Sequence, residues 1–260
     1  MADPATDFEA ELDVLRTEAE AATQFFYAYL TIHALIGDNK AVHRLLNQSG
    51  LMWKTILGSL QTATFITLGR IFDQSSAHNV DRVVGLAQRH PSIFAKPELA
   101  KRKQGTAKNP PEWLPEYLEG AYVPTAKDFR RLRSHVHRRR QIYEARYRDL
   151  RRKVFAHKEL TSEADVAALF AKTNIRELQR MLVFLGSLHD ALWQLFFNGR
   201  KPILQPGRYS LTRMRDQPSP AEQRRGVQER ITHETEAFLT AAAAAAQLRD
   251  AMDAPRAARH

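Results

Sequence analysis

The residues best suited to chemistry lie near the middle of the chain, where a run of cationic side chains is followed by His157. Histidine exchanges protons near neutral pH and can therefore act as a general acid or base. Arginine is always charged and grips phosphate oxygens with a planar fork of donors. The segment Arg151-Arg-Lys-Val-Phe-Ala-His157 could therefore bind an anion and move a proton beside it.

Helix geometry limits what this segment can do within one chain. On an unbroken α-helix Arg151 and His157 would stand about 120° and about 9 Å apart, too far to grip one phosphate, and Arg152 would stand about 140° from His157. A site therefore needs either an unwound helix end or a second copy of the segment. A two-fold dimer would supply that copy.

The same residues also have a purely structural interpretation. Charge runs usually form solvated faces. His157 and Lys158 could donate hydrogen bonds to the last carbonyl groups of a helix, where cations are favoured. Taken by themselves, the residues favour this interpretation.

Basic residues are concentrated around the segment. The chain has a formal net charge of +10, and residues 120–160 contain 13 Lys and Arg against 4 Asp and Glu, a local net charge of +9. Such a concentration favours an anionic partner. Residues 1–20 have a negative net charge, with seven acidic residues against Arg16. The basic residues could therefore instead attract this acidic segment, within the chain or between subunits.

Several classes of site are excluded or unsupported. The chain has no cysteine, which excludes disulfides, thiolate zinc sites and a cysteine nucleophile. Neither a P-loop nor a dinucleotide fingerprint can be matched. His135 and His137 would point apart on a helix, and no acidic cluster adjoins His33 or His43. We therefore predict no metal and no cofactor.

The start of the chain and its most apolar segment bear on its location. The first residues are acidic and lack the basic-then-apolar layout of a secretory signal. The apolar segment from Met181 to Phe197 is interrupted by His189 and Asp190 and is short for a membrane span, so it reads as a core helix. The sequence predicts a cytoplasmic protein that does not enter a membrane.

Apolar residues at steps of three and four predict an all-α fold, since no alternating strand pattern of useful length is present. The first helix would open with a capping box at Thr6 and Glu9 and end near Gly37. A second helical pattern covers residues 40–72, with a possible break at Ser49-Gly50.

The second helical pattern contains small residues, among them Gly58 and Gly69, that would allow close packing. A short helix over residues 79–89 would stop before Pro91, since the residue before a proline avoids helix. Six of the twelve prolines fall within residues 91–124. We therefore expect an irregular excursion there, packed on the core rather than forming a domain.

From Thr125 apolar residues recur near heptad spacing through the motif segment, which predicts a helix of about nine turns if unbroken. These apolar residues form a stripe along one face of the predicted helix. The stripe lacks an apolar residue at one position, because its expected member between Val136 and Tyr143 is Arg139 or Arg140. A guanidinium against an apolar stripe indicates a polar contact or an anion site at that place.

A capping box at Asn174 and Glu177 opens a strongly apolar closing helix. A strong helix start at Ser219-Pro-Ala-Glu222 precedes a terminal helix through an alanine tract. We therefore predict three parts: residues 1–200 as a helical bundle with residues 91–124 inserted, residues 201–218 as a linker, and residues 219–260 as a C-terminal helix and tail.

The segment from Tyr147 to His157 resembles the R-x(4-6)-H signature of the HEPN superfamily, particularly its abortive-infection branch of the AbiU type. In that family the signature closes the third long helix of a four- or five-helix bundle, and it closes a corresponding helix here. The helix end Arg70-Ile-Phe-Asp73 also resembles that branch, although Arg70 and Asp73 could instead be an ion pair that supports the helix end. The resemblance covers residues 8 to 200, leaving the tail outside it.

The resemblance implies a HEPN-like all-α bundle of four to five long helices, with an inserted proline-rich excursion and a C-terminal helical tail. It implies Arg151 and His157 as the motif residues, with Arg70 and Asp73 in possible support. Arg152 could itself be the motif arginine at the shorter permitted spacing.

As the resemblance implies, two protomers would bring their motifs to a shared cleft, where RNA is cut with its own 2′-hydroxyl as nucleophile and without metal. His157 would act as general acid or base, and Arg151 would stabilise the developing negative charge. Further cations would hold the RNA backbone and make the affinity salt-sensitive. These are Arg148, Arg152, Lys153, Lys158, Arg139 and Arg140.

Two other functions remain open. The same basic groove could hold RNA, a nucleotide or an acidic partner without chemistry, as some members of the superfamily are thought to do. The chain could also be one half of a toxin-antitoxin or phage-defence pair, with an antitoxin or defence protein as its partner.

Overall fold

The computed structural model describes residues 3–157, 159, 162–220 and 226–257, with side chains described as far as residue 249. Helices dominate this part of the chain, and none of the described residues lies in a β-strand. The predicted all-α fold is therefore confirmed.

The described residues form twelve α-helices, one 3₁₀-helix and one π-helix. The α-helices are α1 (Pro4–Asp38), α2 (Lys40–Gln48), α3 (Gly50–Phe72), α4 (Val80–Arg89), α5 (Lys96–Gln104), α6 (Leu114–Glu119), α7 (Ala126–Arg146), α8 (Arg148–Leu150), α9 (Glu163–Ala171), α10 (Ile175–Asn198), α11 (Leu211–Asp216) and α12 (Val227–Ala257). The 3₁₀-helix, Pro91–Phe94, precedes α5, and the π-helix, Arg151–Ala156, follows α8.

The helices form two compact units, each built from two stretches of chain. The first unit is the chain up to Glu20 together with Phe65–Gly207. The second unit is Ala21–Thr64 together with the chain from Arg208 onward. The motif segment and the Arg-Ile-Phe-Asp helix end both lie in the first unit.

The core of the first unit contains a cluster of four phenylalanines. Phe8 meets Phe94 edge-on with ring centroids 5.3 Å apart, and Phe196 lies 5.0 Å from Phe8. Phe129 extends the cluster at 5.5 Å from Phe94. All four rings are buried, and buried aromatic rings contribute strongly to core stability. The cluster therefore ties α1, α7 and α10 together around the 3₁₀-helix.

The core of the second unit forms where α12 packs on α2. Leu239 and Ala243 of α12 are buried together with Val42 and Leu46 of α2 and with Leu35 of α1. The terminal helix predicted through the alanine tract is therefore confirmed, and its inner face belongs to a packed core.

Three predicted helix boundaries are confirmed. α1 ends at Asp38, and the break between α2 and α3 falls at Ser49. α4 is capped by the side chain of Asn79 and ends at Arg89, directly before the His-Pro pair. In each case the signal and the boundary are adjacent in the chain, which is why local rules suffice.

The start of α1 differs from the prediction. The helix begins at Pro4, and the Thr6 hydroxyl donates to the Asp3 carboxylate across 3.3 Å. Thr6 and Glu9 therefore lie inside the helix and form no capping box. A proline suits the first turn of a helix, where its missing N–H would have no partner in any case.

Residues 91–124 also differ from the predicted irregular excursion. Pro91, Pro97 and Pro115 each stand in the first turn of a helix, namely the 3₁₀-helix, α5 and α6. These prolines begin helices rather than interrupting them. The segment nevertheless packs on the core as expected, since Leu99 of α5 is buried.

The chain after α10 forms α11, Leu211–Asp216, within residues 201–218. Ser219 and Pro220, where a helix start was predicted, lie outside any helix, and residues 221–225 lie outside the described residues. α12 begins at Val227.

The apolar segment that contains Met181 is confirmed as a core helix. Met181, Leu185 and Leu192 of α10 are all buried. None of the helices in the described part of the chain combines the length and the apolar character that crossing a membrane would demand.

Candidate functional site

The helix that leads to the motif segment is interrupted at Tyr147. α7 ends at Arg146, and Tyr147 has φ −116° and ψ −28° before the short α8. The buried Tyr147 hydroxyl lies 3.0 Å from the carbonyl oxygen of Asn174 and 3.2 Å from the Glu177 carboxylate. The helix that would have about nine turns if unbroken is therefore broken at Tyr147, a residue whose side chain is bonded to the start of α10.

The motif segment itself forms the π-helix Arg151–Ala156 rather than the end of an α-helix. The backbone N–H of His157 donates to the carbonyl oxygen of Arg152 across 3.0 Å, a bond that spans five residues. Because a π-turn is wider than an α-turn, residues five positions apart lie on nearly the same side of the helix axis. Arg152 therefore lies closer than Arg151 to the face of the helix that carries His157. Single π-turns are frequent at functional sites. The motif segment therefore ends in a π-turn instead of an α-helical turn, so the α-helical spacing of Arg151 and His157 does not apply to it.

Arg151 is held in place by the end of α3. Its Nη1 lies 3.2 Å from the Asp73 carboxylate, and 26% of its side chain is exposed. Its guanidinium lies against Gly69, where an added Cβ would come within 2.6 Å of the arginine Nε. The close packing predicted for the small residues of α3 is therefore confirmed at Gly69.

The two charged residues at the end of α3 do not pair with each other. Arg70 donates to Glu18 across 2.8 Å, whereas Asp73 pairs with Arg151. The simple ion pair considered for Arg70 and Asp73 is therefore wrong, because each reaches a different helix. Burial and the nearby Asp73 carboxylate raise the pKa of Tyr143, so this phenol stays protonated beside the Arg151–Asp73 pair.

Asp149 partly neutralises the cations of the motif. Lys153 donates to Asp149 across 3.1 Å. This hydrogen bond, opposed by burial and aided by the charges of Lys153, Arg152 and Arg148, lowers the pKa of Asp149. Arg148, Arg152 and His157 are exposed, and neither arginine forms an ion pair with a described carboxylate. The segment therefore presents these three side chains to solvent, while Lys153 is already paired.

Aromatic packing supports the π-helix. Phe155 stacks on Phe65 of α3 with ring centroids 4.9 Å apart and an interplanar angle of 11°. Phe170 of α9 meets Phe155 edge-on at 6.2 Å, and Tyr147 stacks on Phe65 at 6.3 Å. Sequence reasoning missed this cluster, although the phenylalanine inside a cationic segment was a sign that one face of the segment is covered.

The other predicted cations lie away from the motif. Arg140 pairs with Asp81 at 2.6 Å, which confirms the polar contact predicted where the stripe lacks an apolar residue. Arg139 lies over the ring of Phe184 at 5.2 Å. Both arginines precede Arg151 by at least eleven residues, which would be about 16 Å at the α-helical rise per residue. The structure therefore does not bring them into the motif, and Lys158 lies outside the described residues.

The chemistry available at the motif is proton exchange beside a bound anion. His157 supplies an exposed imidazole, and Arg151 and Arg152 supply guanidinium groups that match phosphate oxygens. Across the described residues, no three or more His, Asp or Glu side chains are grouped so that they could hold a metal ion.

Replacing Gly69 by alanine is expected to displace Arg151 from Asp73, because the new Cβ would fall 2.6 Å from the arginine Nε. Alanine in place of a helical glycine normally stabilises by about 0.5–1 kcal/mol, and we expect this gain at Gly58 of the same helix, where nothing lies within 4 Å. Overpacking should leave the free energy of unfolding of Gly69→Ala roughly 1–3 kcal/mol below that of Gly58→Ala. Urea unfolding measures both, and equal gains at the two positions would contradict the close approach.

A comparison with protein-family models matches the chain to HEPN_AbiU2, described as AbiU2, over residues 5–225. The matched range includes the helix end at Asp73 and the whole motif segment through His157, and it leaves α12 outside. No curated protein and no solved structure shows significant similarity to the chain.

Proposed function

Because the chain belongs to the HEPN_AbiU2 family, an abortive-infection branch of the HEPN superfamily, we propose that it is a metal-independent endoribonuclease of phage defence or of a toxin-antitoxin pair. One observation carries the proposal: Asp73 holds Arg151 at the start of the π-helix, and the exposed His157 directly follows its end. A fixed cation near an exposed proton-transfer group suits RNA cleavage through the 2′-hydroxyl.

In the proposed reaction the imidazole of one His157 takes the proton of the RNA 2′-hydroxyl, whose oxygen attacks the adjacent phosphorus. The bond from phosphorus to the 5′-oxygen of the next nucleotide breaks, and this oxygen receives a proton from a general acid. The products are a 2′,3′-cyclic phosphate and a 5′-hydroxyl, and no water is consumed. Arg151 stabilises the extra negative charge that develops on the phosphoryl oxygens.

This reaction needs one base and one acid, whereas the motif segment of one chain contains a single histidine. Two protomers that meet about a two-fold axis at their motif segments would place two imidazoles in one cleft. The exposure of His157, Arg148 and Arg152 leaves them available to such a cleft. We therefore include a homodimer in the proposal, with Arg148 and Arg152 binding the RNA backbone.

The purified protein is expected to cut mixed-sequence RNA in the presence of EDTA and to leave 2′,3′-cyclic phosphate ends. Chelation should not change the rate, because imidazole and guanidinium groups supply the proposed chemistry. Mass spectrometry of the products identifies the ends, and a gel-shift assay measures RNA binding in the same buffer. RNA binding without cleavage would overturn the nuclease and favour a non-catalytic binding module.

Size-exclusion chromatography with light scattering extends this assay to the shared cleft. Cleavage should elute with a species of twice the 29.7 kDa chain mass. Activity that elutes only with the 29.7 kDa species would contradict the shared site.

A further inference from the structure

The outer face of α12 is apolar although it faces solvent. Phe238 is 66% exposed and Leu248 is 68% exposed, and Ala241 and Ala245 between them are exposed as well. The opposite face of the helix packs in the core of the second unit through Leu239. A surface helix normally presents charged and polar side chains on the side away from the core. α12 therefore has a second apolar face, which the described part of the chain leaves largely open, and we call its four residues the outer seam.

The outer seam has the spacing of a coiled coil. Its members recur at steps of three, four and three residues, which is the spacing of the a and d positions of a heptad. At about 100° per residue they fall within an arc of about 80° on the helix surface. Residues 235–248 contain one charged residue, Glu236, and it pairs with Arg215 at 3.2 Å. The outer seam is therefore an uninterrupted apolar surface of the kind that packs against a second helix.

We propose that the outer seam pairs antiparallel with the outer seam of a second copy of this chain. About a two-fold axis at the centre of the seam, Phe238 packs against Leu248 of the second copy. Ala241 packs against Ala245 of the second copy, and these small side chains let the two helix backbones approach closely. The surface is complementary to itself, so the contact closes at two chains.

The charges beside the outer seam favour this antiparallel pairing. Glu234 occupies the next seam position, four residues before Phe238. In a parallel pair the two Glu234 carboxylates would face each other, and such a juxtaposition of like charges is unfavourable. In the antiparallel pair Glu234 comes within one helical turn of Arg249 of the second copy. Both side chains are exposed, and neither forms an ion pair with another described residue of its own chain.

This contact is separate from the shared cleft of the proposed nuclease. α12 belongs to the second unit, whereas the motif segment belongs to the first. The family match ends at residue 225, before α12 begins at Val227. The pairing is therefore a property of this chain's own C-terminal helix, and its failure would leave the proposed chemistry unaffected.

Cross-linking of the full chain tests the pairing, because the chain has no cysteine and an introduced one is its single thiol. In an antiparallel pair the two thiols of Ala245→Cys chains lie about 6 Å apart along the helix axes, and those of Arg230→Cys chains lie about 40 Å apart. A short bifunctional maleimide should therefore link Ala245→Cys chains and leave Arg230→Cys chains unlinked. Linkage of Arg230→Cys chains, or no linkage of Ala245→Cys chains, would overturn the proposal.

A second change in the Ala245→Cys chain tests whether the outer seam causes the linkage. Adding Phe238→Glu should lower the yield of linked dimer at low protein concentration about tenfold or more, since a central aromatic side chain dominates a small interface. Adding Gln247→Glu is the matched control, because Gln247 is an exposed residue of α12 outside the seam and receives the same charge. The control should be linked as the Ala245→Cys chain is. Equal yields with the two added changes, at matched helical circular dichroism, would also overturn the proposal.

Discussion

His157→Ala is expected to reduce the rate constant of RNA cleavage by about 10²–10⁴-fold, the usual contribution of a general acid or base. The fold should be unchanged, because His157 is exposed and follows the last turn of the π-helix. The loss should fall on kcat, since Arg148 and Arg152 remain available to the RNA backbone. Single-turnover cleavage by the unmodified chain and the variant, at matched helical circular dichroism, measures the effect.

His43→Ala is the matched control for this variant. His43 is also an exposed helical histidine, and its ring bonds Asn47 of its own helix in the second unit. We expect cleavage by this control to equal that of the unmodified chain. A His157→Ala chain that still cuts RNA at the original rate would remove His157 from the proposed chemistry.

The long helices could be predicted because their causes are local. α10 begins where the Asn174 side chain accepts from the backbone N–H of Glu177, and its buried face recurs at helical spacing. Asn79 caps α4 in the same way. The capping residue and the periodic apolar residues lie close together in the chain, so both can be recognised in the sequence.

The errors in the fold came from two kinds of residue, one with a distant partner and one with two local structural roles. Tyr147 has the heptad spacing of a residue in the apolar stripe, yet its hydroxyl binds Asn174, which lies 27 positions later in the chain. Proline likewise has two meanings. Pro97 begins a helix because helix-forming residues follow it, whereas a composition count reads it as a turn former.

The candidate site was partly predictable for the same reason. The residue types of Arg151 and His157 and their spacing are visible in the sequence, and so is the small residue Gly69. The pairing of Arg151 with Asp73 joins two helices far apart in the chain. The π-turn accompanies the stacking of Phe155 on Phe65, another long-range contact. Neither contact has a local sequence signature.

Arg151→Ala is expected to lower kcat for RNA cleavage by about 10²–10³-fold, the usual cost of removing one donor that stabilises transition-state charge. The physical reason is preorganisation, because Asp73 and Gly69 hold the Arg151 guanidinium before RNA binds. Arg152 is exposed, and no described carboxylate pairs with it. Arg152→Ala should instead raise KM and reduce the slope of log affinity against log salt by about one. Cleavage kinetics at several salt concentrations separate the two effects.

The Asp73→Asn variant tests whether the ion pair between Asp73 and Arg151 positions the Arg151 guanidinium. The amide keeps the size of the carboxylate and removes its charge, so kcat should fall while RNA affinity is retained. Glu18→Gln is the matched control, because Glu18 pairs with Arg70 of the same helix end and not with the motif. The reverse result, a kcat loss in Arg152→Ala with unchanged kcat in Arg151→Ala and Asp73→Asn, would make Arg152 the motif arginine. The five-residue bond from His157 to Arg152 would then be the feature that selects the catalytic cation, and the Asp73 pair would only join two helices.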